Sequence, residues 1–183
     1  MKIKGTAFIT RKNFIISNFG ENKWNKFIDK IREEEPYFND TILTINLMPS
    51  EKFLFFQEEF VKEFYNNNDD IYWDLGNESA KWALSEGPYA PYLHSKDIEH
   101  FVKNKIPLIW KAYFTEGKLT GKIKDNKVII EIKGITVKHI YFERLIMGYV
   151  NKSLEMFLNK KIENRKIKGI FDKGNKVIYE FYI

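Results

Sequence analysis

Apolar residues recur every three or four positions through the first part of the chain and every second position only after it. Phe8, Ile15, Ile16 and Phe19 predict a helix from Gly5 to Gly20, with Gly20 where a C-terminal cap belongs; Thr6–Arg11 taken alone also fits a strand. Trp24, Phe27, Ile28 and Ile31 form the stripe of a second helix over Glu21–Glu34, closed by Pro36. Thr41–Leu47 is a short β-branched and apolar run that ends at Met48-Pro49. Ser50 is expected to cap a strong helix built on Phe53, Phe56, Phe60 and Phe64. Further helices are predicted over Asp74–Glu86, from Ser95 and Asp97 through Val102, and from Pro107 through Phe114.

The period then changes. Leu119–Ile123 and Lys127–Lys133 flank Lys124-Asp125-Asn126, and Arg165–Phe171 and Lys176–Ile183 flank Asp172-Lys173-Gly174-Asn175. Both read as hairpins. Between them a long helix, Lys138–Asn159, should turn Phe142, Ile146, Tyr149, Val150 and Phe157 inward. The expected fold class is α+β: one domain, residues 1–183, in which a mainly helical part (1–116) packs on a C-terminal ββαββ part (117–183) with an antiparallel four-stranded sheet.

The chain's 183 residues suit a single domain. It contains no cysteine, which removes disulfides, thiolate metal sites and cysteine nucleophiles. Net charge is +5, but only four of the 30 basic residues are arginine, so the excess reads as a solvated surface and no nucleic-acid partner is expected. No apolar run approaches the ~18 residues of a membrane span, and Met1–Gly5 leads into no secretion signal; a cytoplasmic protein is expected.

Candidate chemistry is sparse. His94, His100 and His139 form no metal-ligand spacing with one another, and no nucleotide loop or nucleophile elbow is present. The acidic pairs lie in charged runs. The chain is therefore not expected to be an enzyme. More informative is the aromatic share of 16%, which runs along the whole chain and includes the aromatic-rich segment Ile71–Phe114. Trp73, Trp82, Tyr89, Trp110, Tyr113 and Phe114 combine apolar bodies with polar tips and are candidate lining for a pocket that orients a small apolar or aromatic molecule.

Several segments in order resemble haem-nitric-oxide-binding (H-NOX) domains and their haem-free, 4-vinyl-reductase-like relatives. They are Lys4-Gly5-Thr6 with Phe19-Gly20-Glu21, the helix Asp74-Leu75-Gly76-Asn77-Glu78-Ser79-Ala80, the run Pro107-Leu108-Ile109-Trp110-Lys111-Ala112-Tyr113-Phe114, and Arg144-Leu145-Ile146-Met147-Gly148. The final strand Tyr179-Glu180-Phe181-Tyr182-Ile183 resembles the last strand of 4-vinyl-reductase domains, with Tyr where Cys is usual. The resemblance implies the fold shared with vesicle-tethering TRAPP subunits, whose members hold an apolar ligand or act as dimeric scaffolds. It also implies a haem-free, non-enzymatic sensor, because the Tyr-x-Ser-x-Arg motif that binds haem propionates is missing from Ile130–Val137. No cofactor is expected; His100 would be a metal ligand only if haem were bound. The alternatives are a homodimeric interaction scaffold and a haem gas sensor that uses His100.

Overall fold

The first helical period is realised as α1, Gly5–Phe19, and Gly20 closes it at φ 90° with its N–H donated to the Ile16 carbonyl. The computed structural model describes residues 1–183, which divide into two units.

The first unit comprises Met1–Asn68 and Tyr113–Thr115. It holds β1 (Lys2–Lys4), α1, α2 (Glu21–Glu34), β2 (Leu47–Pro49) and α3 (Ser50–Tyr65). The two strands pair antiparallel, Ile3 opposite Met48, and Ile3 also bridges Phe114. The α3 stripe meets α1 and α2 in a cluster of rings. Phe8 lies 4.8 Å from Phe56, Phe27 lies 5.6 Å from Phe56, and Phe19 lies 4.6 Å from Phe64. Most of these pairs are tilted or edge-on, as ring quadrupoles favour.

Two local readings change here. The Thr41–Leu47 run gives a strand only at its end, because the Gly5 and Thr6 N–H groups bond the Asn46 and Thr44 carbonyls and the Asn46 side chain accepts from the Leu43 N–H. These bonds hold residues 43–46 as a turn and leave Leu43, Ile45 and Leu47 exposed. Ser50 does not cap α3. Pro49 occupies the cap position, and Ser50 is the first helical residue, with its hydroxyl buried and unpartnered.

The second unit comprises Asp69–Ala112 and Glu116–Ile183. Its helices are α4 (Ile71–Ser85), the short α5 (Ile98–His100), α6 (Ile106–Tyr113) and α7 (Ile140–Leu158); its strands are β3 (Lys118–Lys124), β4 (Lys127–Lys133), β5 (Glu163–Lys168) and β6 (Lys176–Tyr182). A π turn over Phe101–Lys105 joins α5 to α6. The sheet runs β3-β4-β6-β5, antiparallel throughout, so the two hairpins meet along β4 and β6 with α7 as their link. Val128, Ile130 and Ile132 of β4 and Val177, Tyr179 and Phe181 of β6 are buried on one face.

β5 starts earlier than Arg165 and ends at Lys168, with a register shift between Lys166 and Lys168. Past it, the Ile170 N–H turns inward to the Glu143 carboxylate instead of extending the ladder. The inward face of α7 also differs from expectation. Phe142, Met147, Val150 and Leu154 are fully buried, whereas Ile146, Tyr149 and Phe157 are half-buried.

Part of α7 is covered by α4 rather than by the sheet. A Cβ at Gly76 would overlap the Leu145 carbonyl oxygen and sit 2.7 Å from the Tyr149 nitrogen. A Cβ at Gly148 would overlap the Trp73 carbonyl oxygen. Each helix thus presents a glycine to the other's backbone, and only hydrogen fits at either position.

Candidate functional site

The α3 stripe positions one polar side chain among the rings. Ser50, Phe53, Gln57, Phe60 and Phe64 follow at three- and four-residue spacing, on one face of the helix. Gln57 is 0% exposed, and neither its amide oxygen nor its amide nitrogen has a hydrogen-bond partner. Burying an unmatched amide costs about 1–3 kcal/mol. Beside this stripe, the Arg11 guanidinium lies 5.0 Å from the centre of the Phe60 ring and 5.2 Å from that of Phe14. An amide in this position can offer one donor and one acceptor to a molecule whose remaining surface is apolar. Gln57 was not singled out from the sequence. The signal was there: it stands four residues after Phe53 and three before Phe60, a polar residue in the middle of an apolar stripe.

The residues expected from the aromatic segment are spread over several environments. Trp73 on α4 lies 6.2 Å from the Tyr179 ring. Trp110 is 3% exposed and donates its indole N–H to the Gly117 carbonyl at 3.3 Å. Tyr89 stacks on Tyr92 at 5.4 Å. Trp82 is 46% exposed on α4. Tyr113 and Phe114 belong to the first unit and face each other at 6.3 Å. Trp110→Ala should cost about 3–5 kcal/mol, as large-to-small core changes do. Trp82→Ala should stay within about 0.5 kcal/mol of the parent. Chemical denaturation of the two variants checks the contrast.

A second polar cluster went unnoticed in the sequence because its members are far apart in it. Glu143 of α7 is 2% exposed. Its Oε1 accepts from the Lys166 ammonium at 3.0 Å and from the Tyr179 hydroxyl at 3.2 Å; its Oε2 accepts from the Ile170 N–H at 2.8 Å. Burial, and then the Glu143 charge and hydrogen bond, push the Tyr179 phenol well above its usual range. The unfolded chain therefore loses this proton first. Tyr179's contribution is whole below the ordinary value of 10.0 and declines as pH rises above it toward the raised native value. Urea midpoints in alkaline buffers should fall in that window for the parent, and less steeply for Tyr179→Phe. With its oxygens fully engaged, the cluster fastens the β5–β6 hairpin to α7.

No protein-family model and no curated protein matches the chain. Solved structures do. The unliganded Fe(II) H-NOX protein from K. algicida superposes with a TM-score of 0.71 at 18% identity, covering 98% of this chain and 95% of that one. The H-NOX protein from S. oneidensis in its Fe(II)NO state superposes with a TM-score of 0.70 at 13% identity, covering 97% of each. The fold is that of H-NOX proteins.

Whether an H-NOX fold can carry haem depends on its donors, and those of this chain do not fit the group. His100 is exposed, and its ring Nδ1 pairs with the Asn104 amide at 3.1 Å. His94 is exposed, and the His139 Nδ1 accepts from the Tyr141 N–H as the cap of α7. Ile130, Ile132 and Ile135 are buried in the Ile130–Val137 stretch, which carries no Tyr-x-Ser-x-Arg. An unpaired buried carboxylate costs several kcal/mol, on the order of what breaking a buried ion pair costs. No group of three or more His, Cys, Asp or Glu is placed to hold a metal ion.

Proposed function

We propose that this protein is a haem-independent, non-enzymatic module on an H-NOX fold that binds a small, largely apolar molecule carrying one donor and one acceptor. The observation that carries the reading is Gln57: a wholly buried amide with both polar atoms unmatched, set among Phe53, Phe56 and Phe60. A cyclic amide, a carboxylic acid or a nitrogen heteroaromatic matches such an amide, and the surrounding rings supply the apolar contact. Burying ~200 Å² of a flat ligand is worth about 5 kcal/mol before ordering costs. We centre the site on α3 rather than on Ile71–Phe114, whose rings include an exposed Trp82 and a Trp110 already bonded to Gly117.

The test uses Gln57→Leu. Removing the unmatched amide should raise the stability of ligand-free protein by about 1–3 kcal/mol. It should also abolish the non-covalent adduct that native mass spectrometry detects on wild-type protein purified from its own cells. An adduct retained at equal occupancy by Gln57→Leu, or no adduct on the wild type, overturns the reading. So does saturable haemin binding with a Soret band that His100→Ala removes.

A further inference from the structure

The sequence spreads its positive charge along the chain; the fold gathers it. Alternate residues of the sheet face α7, and the others form an outer face. On the two central strands the outer charges are matched. Lys127 meets Glu180 at 3.2 Å, and Glu131 is held by Lys176 at 3.3 Å and Lys133 at 3.7 Å. The two flanking strands are unmatched. β3 presents Lys118, Lys122 and Lys124, and β5 presents Arg165 and Lys168 against Glu163 alone. This face holds eight of the 30 basic and three of the 25 acidic residues, which leaves 22 of each elsewhere. The whole net charge of +5 therefore resides on one side of one sheet.

Between the cationic margins lie Ile129 and Ile178, side by side with the matched pairs. Past β5, the turn into β6 exposes Phe171 at 66%, and Ile167, where the register shifts, is exposed as well. The Lys168 ammonium lies over Gly174 of that same turn, so the apolar tip has a cation beside it.

We propose that this outer sheet face adsorbs to an anionic lipid bilayer, with Phe171 as its apolar contact. Four of the five unmatched cations are lysines, point charges that attract a diffuse negative surface without the paired geometry that arginine brings to phosphates. A single-stranded nucleic acid would need aromatic platforms on the central strands. There the outer positions are instead two isoleucines, two glutamates paired with three lysines, and the terminal Tyr182 as the one ring. A margin of lysines with an exposed phenylalanine is the composition of interfacial binding. The protein would lie on the membrane; no helix is long and apolar enough to cross one.

Co-sedimentation of the full chain with phosphatidylcholine vesicles, with and without phosphatidylglycerol, tests the proposal. Binding should require the anionic lipid and weaken as salt rises. Lys122→Glu with Lys124→Glu should weaken it at least twentyfold, since each basic residue near the surface contributes about fivefold. Phe171→Ser should weaken it severalfold with an unchanged melting temperature. Lys23→Glu with Lys26→Glu, which alters net charge equally on exposed α2 positions, should weaken it far less. Equal binding to neutral vesicles, no binding at low salt, or equal losses for the two charge-reversal pairs overturns the proposal. So does tight binding of an RNA oligonucleotide without vesicle binding, which would give the face to nucleic acid.

Discussion

Gly76→Ala and Gly148→Ala should each lower stability by about 3 kcal/mol or more, enough to unfold much of a marginally stable protein. The added methyl at position 76 falls on the Leu145 carbonyl, and the one at 148 on the Trp73 carbonyl. Neither obstacle is a side chain that can rotate away; relief requires the helix backbones to separate. Elsewhere in a helix interior, alanine in place of glycine helps by about 0.5–1 kcal/mol, so the sign itself is informative. The double variant should cost less than the sum, because separating α4 from α7 once relieves both overlaps. Ser85→Ala, on an exposed part of α4, serves as the control and should change little. Urea denaturation of the four variants checks all of this. Wild-type stability in either glycine variant would show that the helices do not meet at these residues.

Glu143→Gln should cost about 1–3 kcal/mol, although it preserves shape and removes a buried charge. The three groups that meet this carboxylate all donate, two to one oxygen and one to the other. Glutamine has a single acceptor oxygen, so its NH2 must face a donor whichever way the amide is turned. Glu143→Ala should cost more, about 3–5 kcal/mol, because it strands the Tyr179 hydroxyl and the Ile170 N–H together. Lys166→Met should cost less than either, since the ammonium side chain is 52% exposed. Hydrogen exchange at Ile170 gives a local reading: its amide should lose protection in Glu143→Ala beyond the global loss.

Helices and hairpins were legible wherever one face is apolar and the other polar. Glu21–Glu34 and the alternation on β4 and β6 need only local periodicity. The misreadings occur where distant backbone decides. The β-branched, apolar run of residues 41–46 joins no strand, and 43–46 forms a turn, because Gly5 and Thr6 claim the Asn46 and Thr44 carbonyls. Ile146 reads as core on a stripe drawn for one covering layer, whereas α7 is covered by both α4 and the sheet, which widens its buried arc and rotates the centre of that arc. The H-NOX-like motifs on α4 and α7 were visible as letters, and the structure supplies their physics: Gly76 and Gly148 are spacers between helix backbones. The site was less legible. Glu143 and its donors lie 23 to 36 residues apart, a separation that no spacing rule reaches. Gln57 could have been noticed as polar inside a phenylalanine stripe, but its lack of partners is a property of the folded chain alone.

The irregular β5 also limits how two copies of this chain could associate. An open sheet edge invites a second copy to continue the ladder, and a homodimer built that way needs a straight run of free N–H and C=O groups. The shift between Lys166 and Lys168 interrupts that run. Antiparallel pairing centred on Arg165 or Lys166 would set cation against cation across the joint, which is destabilising in a sheet. The sheet is thereby closed to a further strand at its β5 edge, and self-association on that side must use side-chain surfaces in place of backbone pairing.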